Sequence, residues 1–89
     1  MHVVPVALES VIAVCNHTDA LRASTIAREI ELTIQRKLGS KEFVVKLDDV
    51  EHVLARAVRK HLISRTLVKD MGYRDSPWSW AYRLSRTDD

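Results

Sequence analysis

The side chains best suited to chemistry in this sequence are basic ones that recur on one face of a predicted helix. His52, Arg56 and Arg59 follow one another at spacings of four and three residues, which places them on the same side of an α-helix. Lys60 lies at the flank of that side. An arginine guanidinium can donate two hydrogen bonds to the edge of one guanine, and a lysine ammonium suits a phosphate. These residues predict contact with a polyanion; the alternative is a charged face that only keeps the domain in solution.

The predicted helix that carries this basic face spans residues 48–62. Asp48 and Glu51, three residues apart, have the form of a capping box at its start. The opposite side of the helix is apolar and consists of Val50, Val53, Leu54, Ala57, Val58 and His61. We therefore expect His61 to be a hydrogen-bonded core histidine, whose protonation would make the stability fall in acid.

Two further helices are predicted before it, over residues 5–16 and 24–38. The first is apolar over most of its circumference, which is typical of a helix at the centre of a core or of a dimer interface. Ser24 suits the N-cap of the second helix, and Gly39 stands where a glycine commonly ends one. Leu32 is an apolar residue on the polar side of this second helix.

The C-terminal part of the chain predicts a β-hairpin over residues 63–85. In its second strand, large apolar residues alternate strictly with small or polar ones. The large apolar residues are Trp78, Trp80, Tyr82 and Leu84. We expect Trp80 and Tyr82 to pack in the core, and Trp78, next to the turn, to be exposed. An exposed tryptophan would mark a contact with another protein or a surface on which bases stack.

The composition indicates one small folded domain. The chain has 89 residues, of which 46% are hydrophobic and 29% charged, and this excludes the signature of a disordered protein. We expect a single domain over residues 1–86 and a frayed tail over 87–89. The net charge is only +2, but residues 21–47 contain six basic and three acidic residues, so positive charge is concentrated in the middle of the chain.

The single cysteine and the missing motifs exclude several classes of protein. Cys15 has no partner for an intramolecular disulfide, which suits a reducing compartment, and the apolar start of the chain is too short to span a bilayer. We therefore expect a cytoplasmic or nucleoid-associated protein with no membrane partner. The sequence has no metal-ligand spacing, glycine-rich phosphate loop or hydrolase motif, so we expect no cofactor, no metal and no catalytic activity.

Three helices followed by a hairpin resemble a winged helix-turn-helix domain, the fold of many transcription regulators. Residues 21–30, LRASTIAREI, resemble the opening of the second helix in these regulators, where a small-residue turn leads into an I-A-x-E-I pattern. Residues 62–65, LISR, 72–75, GYRD, and 80–84, WAYRL, resemble their wing. The resemblance covers residues 5–85 and implies an α+β, mainly α, fold with a wing of two or three strands.

The resemblance also implies how the domain binds double-stranded DNA. Helix 48–62, with its basic face, would enter the major groove, and hairpin 63–85 would lie on the flanking backbone. The hairpin, the central loop and the start of the second helix would contribute further contacts to phosphates, through Arg65, Lys41, Lys46, Ser24 and Thr25. Arg74, near the turn of the hairpin, would reach a minor groove or a phosphate. The loop over 39–47 is longer than in most such domains, and it leaves room for a strand between the second and third helices.

Other partners are compatible with the same sequence. A winged-helix interaction module would bind protein through the hairpin, and the low net charge and Trp78 favour that interpretation. RNA is a third possible partner. A domain with few basic contacts commonly gains affinity as a dimer on a palindromic site, and we expect a homodimer through helix 5–16 or Leu32.

Overall fold

Three helices and a long hairpin account for most of the chain in the computed structural model, which describes residues 1–16, 19–69 and 78–85. The helices are α1 (Leu8–Cys15), α2 (Ala23–Leu38) and α3 (Leu47–Arg59). The strands are β1 (His2–Val3), β2 (Leu21–Arg22), β3 (Phe43–Val44), β4 (Ile63–Lys69) and β5 (Trp78–Leu84). The predicted α+β class, with three helices before a hairpin, is confirmed. Arg74 and the predicted tail 87–89 lie outside the described residues.

The hairpin belongs to a three-stranded antiparallel sheet in the order β2-β5-β4. Its register pairs Ile63 with Leu84 at the root and Lys69 with Trp78 at the far end. The third strand, β2, lies between α1 and α2 and pairs with β5 only at Leu21–Tyr82 and Arg22–Ala81. The predicted strand between the second and third helices also exists, but this strand, β3, pairs in parallel with β1 rather than with the hairpin.

The core lies where the three helices meet the root of the hairpin. Its most buried members come from every layer and form one apolar cluster: Val11, Cys15, Ile26, Ile30, Val50, Leu54, Ala57, Ile63 and Tyr82. Burying a large aliphatic side chain stabilises a fold by about 1.5–3 kcal/mol relative to leaving it exposed. Contact with this cluster therefore holds the hairpin root against α1, α2 and α3.

The starts of α1, α2 and α3 differ from the prediction, and α1 begins at Leu8 rather than at residue 5 because the chain is still extended at Ala7. Arg22 and Lys46 occupy the N-cap positions with extended backbone, and neither makes a side-chain capping hydrogen bond. The predicted N-cap at Ser24 and capping box of Asp48 with Glu51 are therefore wrong. The reason is that extended residues lead directly into α2 and α3, so each of these helices begins one residue earlier. Ser24 and Asp48 therefore fall inside the first turn, and Glu51 lies beyond it.

The helix ends are set by residues with left-handed backbone. Gly39 ends α2 with a φ of 69°, and its N–H bonds to the carbonyl of Gln35, as the sequence predicts. At the end of α3 the same position is taken by His61, with a φ of 60°. The amide of Leu62 bonds to the carbonyl of Ala57 at 2.9 Å, which completes a Schellman motif. The helix therefore ends before residue 62, and His61 is exposed rather than buried in the core as predicted.

Polar side chains of α2 hold the loop that leads into α3. Glu31 Oε1 accepts a hydrogen bond from the Val45 amide at 2.9 Å, and Gln35 Nε2 donates to the Phe43 carbonyl at 2.9 Å. The other side of this segment is bonded to the N-terminal strand, since the Val4 amide donates to the Val44 carbonyl at 2.9 Å. The long loop is thus held from both sides, which positions the start of α3.

No helix within the described ranges has both the length and the apolar content required to cross a bilayer.

The hydrogen bond from the Val45 amide to Glu31 predicts that removing this carboxylate lowers the stability of the fold. Replacing Glu31 with Ala leaves the half-buried Val45 amide without its carboxylate acceptor, and we expect the free energy of unfolding in urea to fall by about 1–3 kcal/mol. Glu29→Ala is the matched control, because Glu29 is an exposed carboxylate on the same helix. Equal losses in the two variants would show that the hydrogen bond to Val45 contributes nothing specific.

Candidate nucleic-acid interface

The outward side of α3 is the surface on which the structure brings the predicted groove residues together. His52, Arg56, Arg59 and Lys60 are all exposed. The opposite side of the helix, with Val50, Leu54 and Ala57, is fully buried in the core. Because these two sides are separate, a partner could contact the basic residues without disturbing the packing of α3.

Charge is divided between the two ends of α3. Asp48 and Asp49 lie in the first turn, and Arg56 and Arg59 lie in the last. Carboxylates near a helix N-terminus and guanidinium groups near its C-terminus both interact favourably with the helix dipole. For a polyanion, however, this division leaves the C-terminal half of α3 attractive and the first turn repulsive.

The hairpin presents a second basic and aromatic surface next to α3. The register places Arg65 opposite Tyr82, Leu67 opposite Trp80 and Lys69 opposite Trp78, so these side chains share one face of the sheet. The Arg65 guanidinium carbon lies 4.3 Å from the ring centroid of Trp80, within the range of a cation–π interaction.

Tyr82 joins this hairpin face to α3. The pKa of the Tyr82 hydroxyl is raised, chiefly by burial and also by the negative charge of Glu51. The Arg65 guanidinium opposes this rise, by its charge and by a hydrogen bond. The charges of Arg65 on β4 and Glu51 on α3 therefore both act on the hydroxyl of Tyr82, whose side chain is buried. A groove runs past this point between the starts of α2 and α3 and strand β5, and its lining includes Ser24, Leu47 and Trp80.

The two tryptophans lie farther from the core than the sequence predicts. Trp78 is 51% exposed, as expected, but Trp80 is 43% exposed and is not the core residue that we predicted. The prediction for Tyr82 is confirmed, since that side chain is buried. The alternation in β5 identifies one face of the strand, but that face continues beyond the helices. Only its inner end, near Tyr82, has helices to pack against.

The remaining predicted residues are spread around this surface. Ser24 and Thr25 are exposed in the first turn of α2, and Lys41 and Lys46 are exposed on the loop before α3. Leu32 is 38% exposed on the outer side of α2. Sequence reasoning missed Leu47 and Glu51 as groove residues, because Leu47 has no distinctive spacing and the spacing of Glu51 indicates helix capping alone.

Helix α1 packs its most apolar side into the core of its own chain. Val11 and Cys15 are fully buried, and Glu9 and Ala13 face outward. The predicted homodimer contact through residues 5–16 stays a prediction. Burial raises the pKa of the Cys15 thiol to about 11, so the thiol is protonated at neutral pH and packs as an apolar group.

Among the described residues, no group of three His, Cys, Asp or Glu side chains lies close enough together to hold a metal ion. Comparison of the chain with protein-family models, with curated proteins and with solved structures gives no match.

The raised pKa of Cys15 predicts that stability depends on pH in the alkaline range. The folded chain holds the thiol proton more tightly than a thiol with the reference pKa of 9.0. The contribution of Cys15 to the free energy of unfolding is therefore complete below pH 9 and is lost as the pH rises towards about 11. Urea unfolding at pH 8 and pH 10.5 should show a decrease of about 2 kcal/mol from this group.

Cys15→Ala is the control for this measurement, because it removes the titrating thiol and leaves the other alkaline groups in place. The difference in unfolding free energy between the two proteins should shrink as the pH rises. A difference that does not change with pH would contradict the assignment.

Proposed function

We propose that this chain is a winged-helix domain that binds double-stranded DNA, with α3 in the major groove and the β4–β5 hairpin on the flanking backbone. Three helices followed by an antiparallel hairpin support the winged-helix interpretation, and β2 extends the hairpin to a wing of three strands. The major groove, about 12 Å wide, accommodates an α-helix.

The observation that carries the proposal is the exposed basic group at the end of α3. Arg56, Arg59 and Lys60 project from the outward side of the helix, and the chain then leads within five residues to Arg65 on the hairpin. A helix followed directly by a strand with a basic side chain provides both kinds of contact that DNA recognition uses. Base edges in the groove specify the sequence, and backbone phosphates fix the position of the protein.

The acidic first turn of α3 restricts how the helix enters the groove. Asp48 and Glu51 are exposed and would repel a phosphate, so we place the C-terminal half of α3 deepest in the groove. A carboxylate at the helix start can instead accept a hydrogen bond from cytosine N4. In this arrangement Arg56 and Arg59 read guanine edges, His52 lies beside them, and Lys60 meets a phosphate.

The neighbouring basic and hydroxyl groups complete the proposed footprint. Lys41 and Lys46 lie on the loop before α3, and Ser24 and Thr25 lie in the first turn of α2, where backbone N–H groups favour anions. We assign all four to phosphates. The proposal also includes a homodimer on a palindromic site and a role in transcription regulation or nucleoid organisation in the cytoplasm, for which the single protonated thiol is suitable.

Binding to a duplex should depend steeply on salt. A labelled duplex of about 30 base pairs, titrated with the protein and followed by fluorescence anisotropy, should give a slope of about −3 to −6 for log K against log salt. Such a slope corresponds to the neutralisation of several phosphates. No binding at low salt would overturn the proposal.

The role of α3 is tested by removing its two outward arginines. Arg56→Ala with Arg59→Ala should weaken duplex binding by about 1–3 kcal/mol for each arginine that contacts a base. Arg36→Ala with Lys37→Ala is the matched control, because it removes the same charge from the exposed last turn of α2. Equal weakening in both double variants would indicate that only net charge matters, and the groove assignment would fail.

A further inference from the structure

The outer part of the hairpin exposes several large apolar side chains to solvent. Leu67, Trp78 and Trp80 share one face of the sheet and are 48%, 51% and 43% exposed. Tryptophan gains more from burial than almost any other residue, so two exposed tryptophans on one face indicate a surface used for binding. We call Leu67, Trp78 and Trp80, with Arg65 and Lys69, the hairpin aromatic surface.

The spacing of the two tryptophan rings suits two bases that are not stacked on each other. Trp78 and Trp80 are two residues apart on one strand, so their Cα atoms are about 7 Å apart. Bases stacked in a duplex are about 3.4 Å apart along the strand, which is half that distance. Two adjacent bases can therefore occupy the two rings only when they are unstacked from each other, as in a single strand.

The charges around the rings match a polyanion. The Arg65 guanidinium lies 4.3 Å from the Trp80 ring centroid, and Lys69 is directly opposite Trp78 in the register. Arg65 and Lys69 are the basic residues of β4 and β5 that share this face, since Arg83 lies on the other face, and neither strand contains an acidic residue. A nucleic-acid strand can thus run with its phosphates along the cations of β4 and its bases over the rings of β5. Basic grooves combined with aromatic rings are the usual means of binding single strands.

The same charges disfavour the other occupants of such a face. In a symmetric dimer through this surface, each copy would present the same patch, and the cations Arg65 and Lys69 of the two copies would be brought together. The cores of protein–protein interfaces are depleted in lysine, whereas Lys69 is paired directly with Trp78. Charge complementarity therefore favours a nucleic-acid strand over a second copy or another protein.

We infer that the hairpin aromatic surface stacks unpaired bases of DNA, so that the protein prefers a duplex that continues into a single strand. This inference rests on the proposed function, since α3 would hold the duplex while β5 receives the adjoining strand. Stacking of one base on an aromatic side chain changes affinity by between about fivefold and about 150-fold.

The test uses the fact that Trp78 and Trp80 are the only tryptophans of the chain, so tryptophan emission, excited selectively over tyrosine, reports on this surface alone. The full chain is titrated with a blunt duplex of about 20 base pairs, with the same duplex extended by about eight unpaired nucleotides at either end, and with the extension alone. Anisotropy of labelled DNA measures affinity, and tryptophan quenching measures stacking.

We expect the extended duplex to bind at least about fivefold more tightly than the blunt one and to quench the tryptophan emission. Trp78→Ala and Trp80→Ala should each lower the ratio of extended-duplex to blunt-duplex affinity towards one, whereas Trp80→Phe should retain part of this preference. Leu38→Ala, at a 54% exposed leucine at the end of α2, is the control and should behave as the unaltered chain. Circular dichroism checks that each variant is folded.

The other outcomes separate this inference from the proposed function. Equal affinity for blunt and extended duplexes without quenching would overturn the inference and leave duplex binding standing. Binding and quenching by the single strand, with no binding to the blunt duplex, would support the inference and overturn the proposed function. Emission that shifts with protein concentration alone would show a second copy on this surface and overturn the inference. No binding to any of these DNAs would overturn both.

Discussion

Burial of the hairpin root in the three-helix core is the contact on which the arrangement of the surface depends. Ile63, at the start of β4, is 1% exposed and follows the last turn of α3 by only four residues. Tyr82 meets it from β5, so both strands are anchored in the same apolar cluster as the helices. With α3 and the hairpin held together at this point, the basic residues of one keep a defined position relative to the aromatic residues of the other.

The turn between α3 and β4 makes this anchoring possible. His61 takes a left-handed conformation that residues other than glycine seldom adopt, although histidine is among those that tolerate it best. Its Schellman motif ends the helix sharply, and Ile63 then enters the sheet with its side chain inside. A helix that continued through residue 62, as its apolar pattern predicts, would carry the chain past the core and leave Ile63 outside it.

The division between buried and exposed surface follows from the length of the hairpin. The strands β4 and β5 have seven residues each, which at about 3.3 Å per residue is longer than the width of one helix. Only the inner part of the sheet can pack on α1 and α3. The apolar side chains of the outer part, above all Trp78 and Trp80, stay exposed next to the basic residues of β4. The same alternation that fills the core thus continues as a surface available to a partner.

The sequence alone was sufficient for features that depend on neighbours within one or two turns. Helical periodicity predicted α2 and α3, the outward position of His52, Arg56 and Arg59, and the glycine at the end of α2, while strict alternation predicted β5 and the burial of Tyr82. These features follow from repeat lengths of 3.6 and 2 residues, which the order of side chains records directly.

Features that depend on residues far apart in the chain were decided only by the tertiary structure. The extended segments before α2 and α3 replaced the predicted caps, and β3 paired with β1, some 40 residues away, through backbone groups that leave no pattern in the side chains. Trp80 and Tyr82 occupy equivalent positions in the alternation, yet one is 43% exposed and the other 8%. The difference between them is set by where the helices end, because an apolar face is buried only where another element covers it.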